Sequence, residues 1–204
     1  DVVLRKPRSV DEMREVLESN LEDLRRIAGM VGDMLFLSRA DRGVGARETK
    51  GCSLAAVAND VVEFYEAVAL ESNLTVEVRG DAQAHIDAPL MRRALSNLLS
   101  NATRYAHSGS NIVIQIGTRL QPDHTEAVIS VTNSGTDIEP QHLRHLFDRF
   151  YRADSSRHNV DRNHGLGLAI VKAIAKMHGG TAFAQSGEGV TTFGMVLPSA
   201  SLES

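Results

Sequence analysis

The stretch Leu95-Ser96-Asn97-Leu98-Leu99-Ser100-Asn101-Ala102-Thr103-Arg104-Tyr105-Ala106 limits what this chain can become more than any other. Leu95, Leu98, Leu99, Ala102 and Ala106 recur at three- and four-residue steps, which predicts one amphipathic helix with a single apolar face. Asn97 and Asn101 lie one helical turn apart, so their carboxamides line up along the edge of that face. Arg104 and Tyr105 follow on the next turn, where a cation and an aromatic ring reach the same place. Two stacked amides suit a hard, oxygen-seeking cation that keeps most of its waters, as magnesium does beside a nucleotide. Taken alone, the pair reads equally well as the polar edge of a buried helix.

Composition narrows the field. At 204 residues, the chain can hold one well-buried domain and an additional element. Hydrophobic residues make up 42% and charged ones 24%, the balance of an ordinary globular protein. A net charge of -4 with scattered basic residues argues against nucleic acid as a partner. No run approaches the ~18 apolar residues of a membrane helix. Cys52, the single cysteine, can form no internal disulfide and fits a reducing compartment. The eight histidines show no paired ligand spacing, so they read as surface or structural residues rather than metal ligands.

Along the chain, Ser9-Val10-Asp11-Glu12 is a capping box that opens a long helix. Val10, Leu17, Leu24 and Val31 repeat every seven residues, Met13, Asn20, Ile27 and Met34 at the intervening position, to about Arg39. Such a seam is built to pack in a helical bundle, and Asp41-Arg42-Gly43-Val44-Gly45 breaks it. Docking of this helix onto its own globular domain is the competing reading. A second helix is predicted over Ser53 to Glu71, and Leu74 to Val78 alternates as a strand. His85-Ile86-Asp87 reads as a short strand ending in an N-cap, with Pro89 in the first turn of the asparagine helix. Asn111–Ile116 and Glu126–Val131 read as paired strands, and Thr181–Ala184 with Thr191–Leu197 as a final pair joined through Gly187 and Gly189. Helices alternating with mostly antiparallel strands predict an α+β fold, a two-layer sandwich with helices on one sheet face.

Four more segments follow the asparagines in order: Asn133-Ser134-Gly135-Thr136-Asp137-Ile138, Leu146-Phe147-Asp148-Arg149-Phe150-Tyr151-Arg152, Gly165-Leu166-Gly167-Leu168-Ala169-Ile170 and Gly189-Val190-Thr191-Thr192-Phe193. Together the five resemble the N, G1, F, G2 and G3 boxes of sensor histidine kinases, over roughly the last two-thirds of the chain. The wording of the G1 and F boxes looks most like the heavy-metal (copper or silver) sensing subgroup. The resemblance implies a Bergerat-type (GHKL) ATP-binding fold over 46–204. It also implies that 1–45 is part of a dimerising helical hairpin, its second helix. The hairpin's first helix carries the phosphoacceptor histidine in a His-Glu-x-x-Thr-Pro-like box, which is not in this sequence. The expectation is therefore a fragment of a longer sensor, without autophosphorylation at the proper histidine.

Site roles follow from the same resemblance. Asn101, with Asn97, is expected to hold magnesium on the ATP phosphates. Arg104, Tyr105, Asn133, Gly135, Ile138, Arg157, Gly165, Leu166, Gly167, Leu168, Thr191 and Thr192 are expected at the nucleotide. Gly165 and Gly167 precede a helix, where free backbone N–H groups and the helix dipole favour a phosphate. The polar stretch Arg152 to His164, with Arg157 and Arg162, reads as a lid. Phe147, Phe150 and Tyr151 read as core anchors at its base. Three positions depart from the family: Asn133 replaces an aspartate, and Asp137 and Asn163 stand where glycines are usual. Asn97 occupies the place of the general-base glutamate of related ATPases, and an amide cannot act as a base. Transfer to a protein histidine and relay to a response regulator fit better than hydrolysis. A GHKL-type serine kinase and a non-catalytic interaction domain are the alternatives. The parent is expected to be a homodimer in a bacterial inner membrane, with this part soluble on the cytoplasmic side.

Overall fold

Capping chemistry decides where the helices begin. The computed structural model describes residues 9–43, 45–46, 49–153 and 164–199. Helix α1 (Val10–Asp41) starts at Ser9, whose hydroxyl accepts from the Glu12 amide while the Glu12 carboxylate accepts from the Ser9 amide. Strand β1 (Lys50–Ser53) leads into α2 (Leu54–Glu71), where the Ser53 hydroxyl accepts from the Ala56 amide. The Asp81 carboxylate adds bonds from the Ala55 amide and the Ser53 hydroxyl, both at 2.9 Å. After β2 (Thr75–Arg79) and β3 (Gln83–Ile86), Asp87 caps α3 (Ala88–Tyr105) by accepting from the Leu90 amide. Ala106 is the C-cap of α3, so the helical face ends at Ala102.

The remaining elements are β4 (Asn111–Leu120), β5 (Thr125–Ser134), the short α4 (Pro140–Leu143), α5 (Gly167–Met177), β6 (Thr181–Gly187) and β7 (Val190–Pro198). The main sheet runs β2-β4-β5-β7-β6; β2 and β4 are parallel and the other neighbours antiparallel. β1 and β3 form a separate two-stranded antiparallel ribbon. The β6–β7 turn falls on Glu188 and Gly189, both at positive φ, which matches the twist of the strands they join.

Alternation along β4 sends Ile112, Ile114 and Ile116 to the helix-covered face, where they are buried beside Ile129, Val131 and Met195. Against them lie Leu95, Leu98, Leu99 and Ala102 of α3, Ile170, Val171 and Ile174 of α5, and Leu54, Val57 and Val61 of α2. Each fully buried leucine or isoleucine contributes about 1.5–3 kcal/mol. This is the predicted two-layer α+β arrangement, and it presents α3 and α5 side by side on the sheet.

α1 behaves differently at its two ends. Val10, Leu17 and Leu24 of the heptad seam are exposed. The last third docks: Leu37 is buried, Met30 and Phe36 pack on the core, and the Arg93 guanidinium lies 4.2 Å over the Phe36 ring. Arg93 also pairs with Asp33 and Arg149 with Asp41, each at 2.6 Å. The docking reading thus holds for the last third of this helix, while the heptad seam before it stands exposed. Among the described residues, no helix is long and apolar enough to cross a membrane.

Candidate functional site

The C-terminal turn of α3 and the N-terminal turn of α5 open onto one cleft of about 430 Å³. From α3 it is lined by Asn101, Arg104 and Tyr105; from α5, by Gly167 and Leu168. Gly165 precedes α5, and the segment from Asn133 to Glu139 forms the far wall with Thr191 and Phe193 of β7. A side-chain cap is lacking at the start of α5, and its first internal bond runs from the Ile170 amide to the Leu166 carbonyl. The N–H groups of its first turn are therefore left for a ligand, with the positive end of the helix dipole behind them. Asn101 is half-buried, and its carboxamide makes no hydrogen bond among the described residues. That leaves an oxygen free for a cation.

Two glycines are where close approach demands them. A Cβ on Gly135 would sit 2.5 Å from the Tyr105 carbonyl oxygen, and its own amide donates to the Gly189 carbonyl at 2.9 Å. Gly165 has φ +70°, and a Cβ there would meet the Phe150 backbone at 2.8 Å. Asp137, the departure from glycine in the G1 box, accepts from the Gly189 amide at 2.8 Å. The two bonds together tie the G1 loop to the β6–β7 turn. Asn133 and Thr191 are buried polar groups, 3% and 4% exposed. The Thr191 hydroxyl is shared with Ser186 at 2.8 Å, and Ser186 in turn accepts from the Ile138 amide.

Nine of the expected residues line the cleft: Asn101, Arg104, Tyr105, Asn133, Ile138, Gly165, Gly167, Leu168 and Thr191. Gly135 and Leu166 lie behind its wall as supports. Thr192 points to the other sheet face, where its hydroxyl meets that of Thr132 at 2.9 Å. Asn97 is a turn away from the cleft, its Nδ2 donating to the Arg93 carbonyl at 2.9 Å. Arg157, Arg162 and Asn163 lie outside the described residues. Of the lid, Arg152 and Ala153 line the cleft.

Phe150 is not a core anchor. Its side chain is 51% exposed and its φ is +63°, because its amide turns back to the Gly165 carbonyl at 2.9 Å. Phe147 does anchor, edge-on to Phe193 with centroids 6.5 Å apart. Tyr151 is half-buried, its hydroxyl 2.6 Å from His142 Nδ1. His142 and Glu139, outside the five sequence segments, also line the cleft, as do Leu146 and Phe193, which the sequence places in the F and G3 segments without a site role. Strand alternation signals Phe193, two residues from Thr191, and the same rule sends Thr192 away. His142 depends on α4, too short to leave a periodic signal.

Titration properties are shifted where the framework holds the site. Burial pushes the Asp81 carboxyl up, but hydrogen bonds from the Ala55 amide, the Ser53 hydroxyl and the Ala82 amide outweigh it, holding the group below its usual range. Burial raises the Tyr65 hydroxyl, which donates to the Ser96 carbonyl and pins α2 to α3.

An uncapped helix start and a free carboxamide opening onto one cleft suit a phosphorylated ligand with its cation. Residues 86–201 match the family model described as "Histidine kinase-, DNA gyrase B-, and HSP90-like ATPase". The sensor protein IrlS of Burkholderia pseudomallei is 42% identical over 198 residues, 97% of this chain and 42% of that protein. The sensor histidine kinase CusS of Escherichia coli K12 is 45% identical over 199 residues, 97% of this chain and 41% of that one. The chain thus spans about two-fifths of the length of these curated relatives. Full-length ShkA, solved in complex with AMPPNP, superposes with a TM-score of 0.77 over 95% of this chain and 40% of its own, at 19% identity, a likeness of fold. The chain belongs to this ATPase family.

Proposed function

We propose that this chain is the ATP-binding catalytic region of a sensor histidine kinase, residues 46–204, with residues 1–45 contributing the second helix of a dimerising hairpin. It binds Mg-ATP and passes the γ-phosphoryl group to a histidine outside these 204 residues. The observation that carries this reading is one cleft that joins the open N-terminus of α5 to the unpartnered carboxamide of Asn101.

The residues present fit the nucleotide and its ion. The free N–H groups at Gly167 and Leu168 receive phosphate oxygens, and Arg104 offsets charge that develops on them. Asn133 and Thr191 meet the base at the buried end, between the apolar side chains of Ile138 and Leu168. Asn101 Oδ1 would hold magnesium, which would supply positive charge to neutralise the phosphates. At Asn97 an amide, already donating to Arg93, has no proton-accepting capacity, so water is not activated there. The β–γ bond of ATP breaks, a phosphorus–nitrogen bond forms to the incoming imidazole, and ADP leaves. Arg157, outside the described residues, would add to the charge balance.

The parent is a heavy-metal-responsive homodimer of the bacterial inner membrane, with this region on the cytoplasmic side and a response regulator receiver domain as partner. Similarity to CusS and IrlS supports this. Incubation of the chain with labelled ATP, magnesium and a CusS dimerisation hairpin tests transfer. Acid-labile, base-stable phosphate on the hairpin is the expected product, with little on this chain. Acid-stable label, or stoichiometric phosphohistidine on this chain, contradicts the reading.

A further inference from the structure

The buried end of the cleft has a reader with capacity to spare. Thr191 shares its hydroxyl with that of Ser186 at 2.8 Å. Asn133, only 3% exposed, gives one Nδ2 hydrogen to the Ser134 carbonyl at 3.1 Å. Its Oδ1 has no partner among the described residues. Ile138, Leu146 and Phe193 line the same cleft. A buried amide left half-satisfied between apolar walls suits the polar edge of a flat aromatic ring.

We propose that Asn133 makes this site accept 6-oxopurine nucleoside triphosphates in addition to the 6-aminopurine of ATP. The inference rests on nucleotide binding in this cleft as proposed above. In the present orientation Oδ1 accepts from a 6-amino group. Turning the carboxamide over exchanges its oxygen and nitrogen, so that Nδ2 donates to a 6-oxo oxygen instead. Opposing the turn are the loss of one hydrogen bond, that to Ser134, at the long end of the usual range, and the approach of Oδ1 to the same carbonyl oxygen, relieved by a small rotation of the side chain. Among the described residues, no other bond of this side chain holds it. A carboxylate at the same place has acceptors in both orientations and repels a 6-oxo oxygen in either. The amide reads both edges; a carboxylate reads one.

Inosine triphosphate presents the 6-oxo, N1–H edge without adding the 2-amino group of guanine. Displacement of a fluorescent ATP analogue from the whole chain, with magnesium, gives the ATP-to-ITP affinity ratio. The expected wild-type ratio is no more than about tenfold, equivalent to ~1.4 kcal/mol. Asn133→Asp is expected to widen it by a further factor of about ten. ATP binding with ITP more than roughly a hundredfold weaker (~2.8 kcal/mol) in the wild type overturns the proposal and leaves the ATP site intact. So does an unchanged ratio in a folded Asn133→Asp protein. If that variant does not melt cooperatively, the wild-type ratio decides alone. Failure of the wild type to bind either nucleotide overturns the ATP-site reading itself, and this inference with it.

Discussion

Replacing Gly135 with alanine tests whether the G1 loop is held where the geometry says. The added Cβ would lie 2.5 Å from the Tyr105 carbonyl oxygen and 3.3 Å from Asn133 Nδ2. Ordinary contact begins at 3.4 Å, so the loop and the end of α3 must separate by 0.9 Å (3.4 minus 2.5). Overpacking of this kind costs about 1–3 kcal/mol. At ~2–4 °C per kcal/mol for a chain of this size, the melting temperature falls by roughly 2–12 °C. The separation moves Tyr105 and Asn133 together, so nucleotide affinity falls by about tenfold, ~1.4 kcal/mol. Gly117→Ala is the control: its Cβ meets nothing within 4 Å, and its backbone is not left-handed. Differential scanning fluorimetry with and without nucleotide reads both effects. A Gly135→Ala protein that melts within a degree of wild type and binds normally refutes the reasoning.

Other perturbations separate further parts of the account. Asp81 has its folded value below its unfolded one, so its stabilisation is complete above the unfolded carboxylate value of about 3.9 and fades as pH falls through the folded value. Asp81→Ala should lower stability near neutrality by about 1 kcal/mol and flatten the acid limb of a melting-temperature profile; an unchanged acid limb counts against it. Asn101→Ala should remove the magnesium dependence of nucleotide binding, whereas Asn97→Ala, bonded outside the cleft, should retain most of it. Equal losses in titrations of the two variants would contradict that division. A double-mutant cycle on Asp33 and Arg93 should give a coupling of about 0.2–1 kcal/mol, with faster hydrogen exchange across the last third of α1 in each single variant. Zero coupling with unchanged exchange would mean that the Asp33–Arg93 pair does not hold α1.

Local rules carried much of the fold. Asp87, Pro89 and a 3.6-residue stripe announce α3, and period-two alternation announces β4 and β5, although pairing extends both strands beyond the alternating core to Leu120 and Ser134. What stayed hidden depends on distant partners. Lys50 to Ser53 has no alternation of its own and becomes β1 because β3 lies alongside it. The parallel pairing of Thr75 with Asn111 brings together segments on either side of α3. At the site, Gly165 and Gly167 are legible from helix-start chemistry, and Asn133 through the family resemblance. His142, Glu139 and Leu146 enter the cleft only once α4 and the segment after it fold against Phe193. Asn97 shows the limit of helical spacing, which puts it on the edge with Asn101 but does not say how far the cleft reaches along α3. Asp137 is the opposite case: an apparent lapse in a glycine box that supplies a bond to Gly189.

The most direct test is a calorimetric titration of this chain with a non-hydrolysable ATP analogue, with and without magnesium, beside Asn101→Ala. Micromolar binding that requires magnesium and weakens in the variant is the predicted result. Absence of binding by a folded wild-type chain, or equal affinity in wild type and variant, would contradict the assignment of this cleft to Mg-ATP.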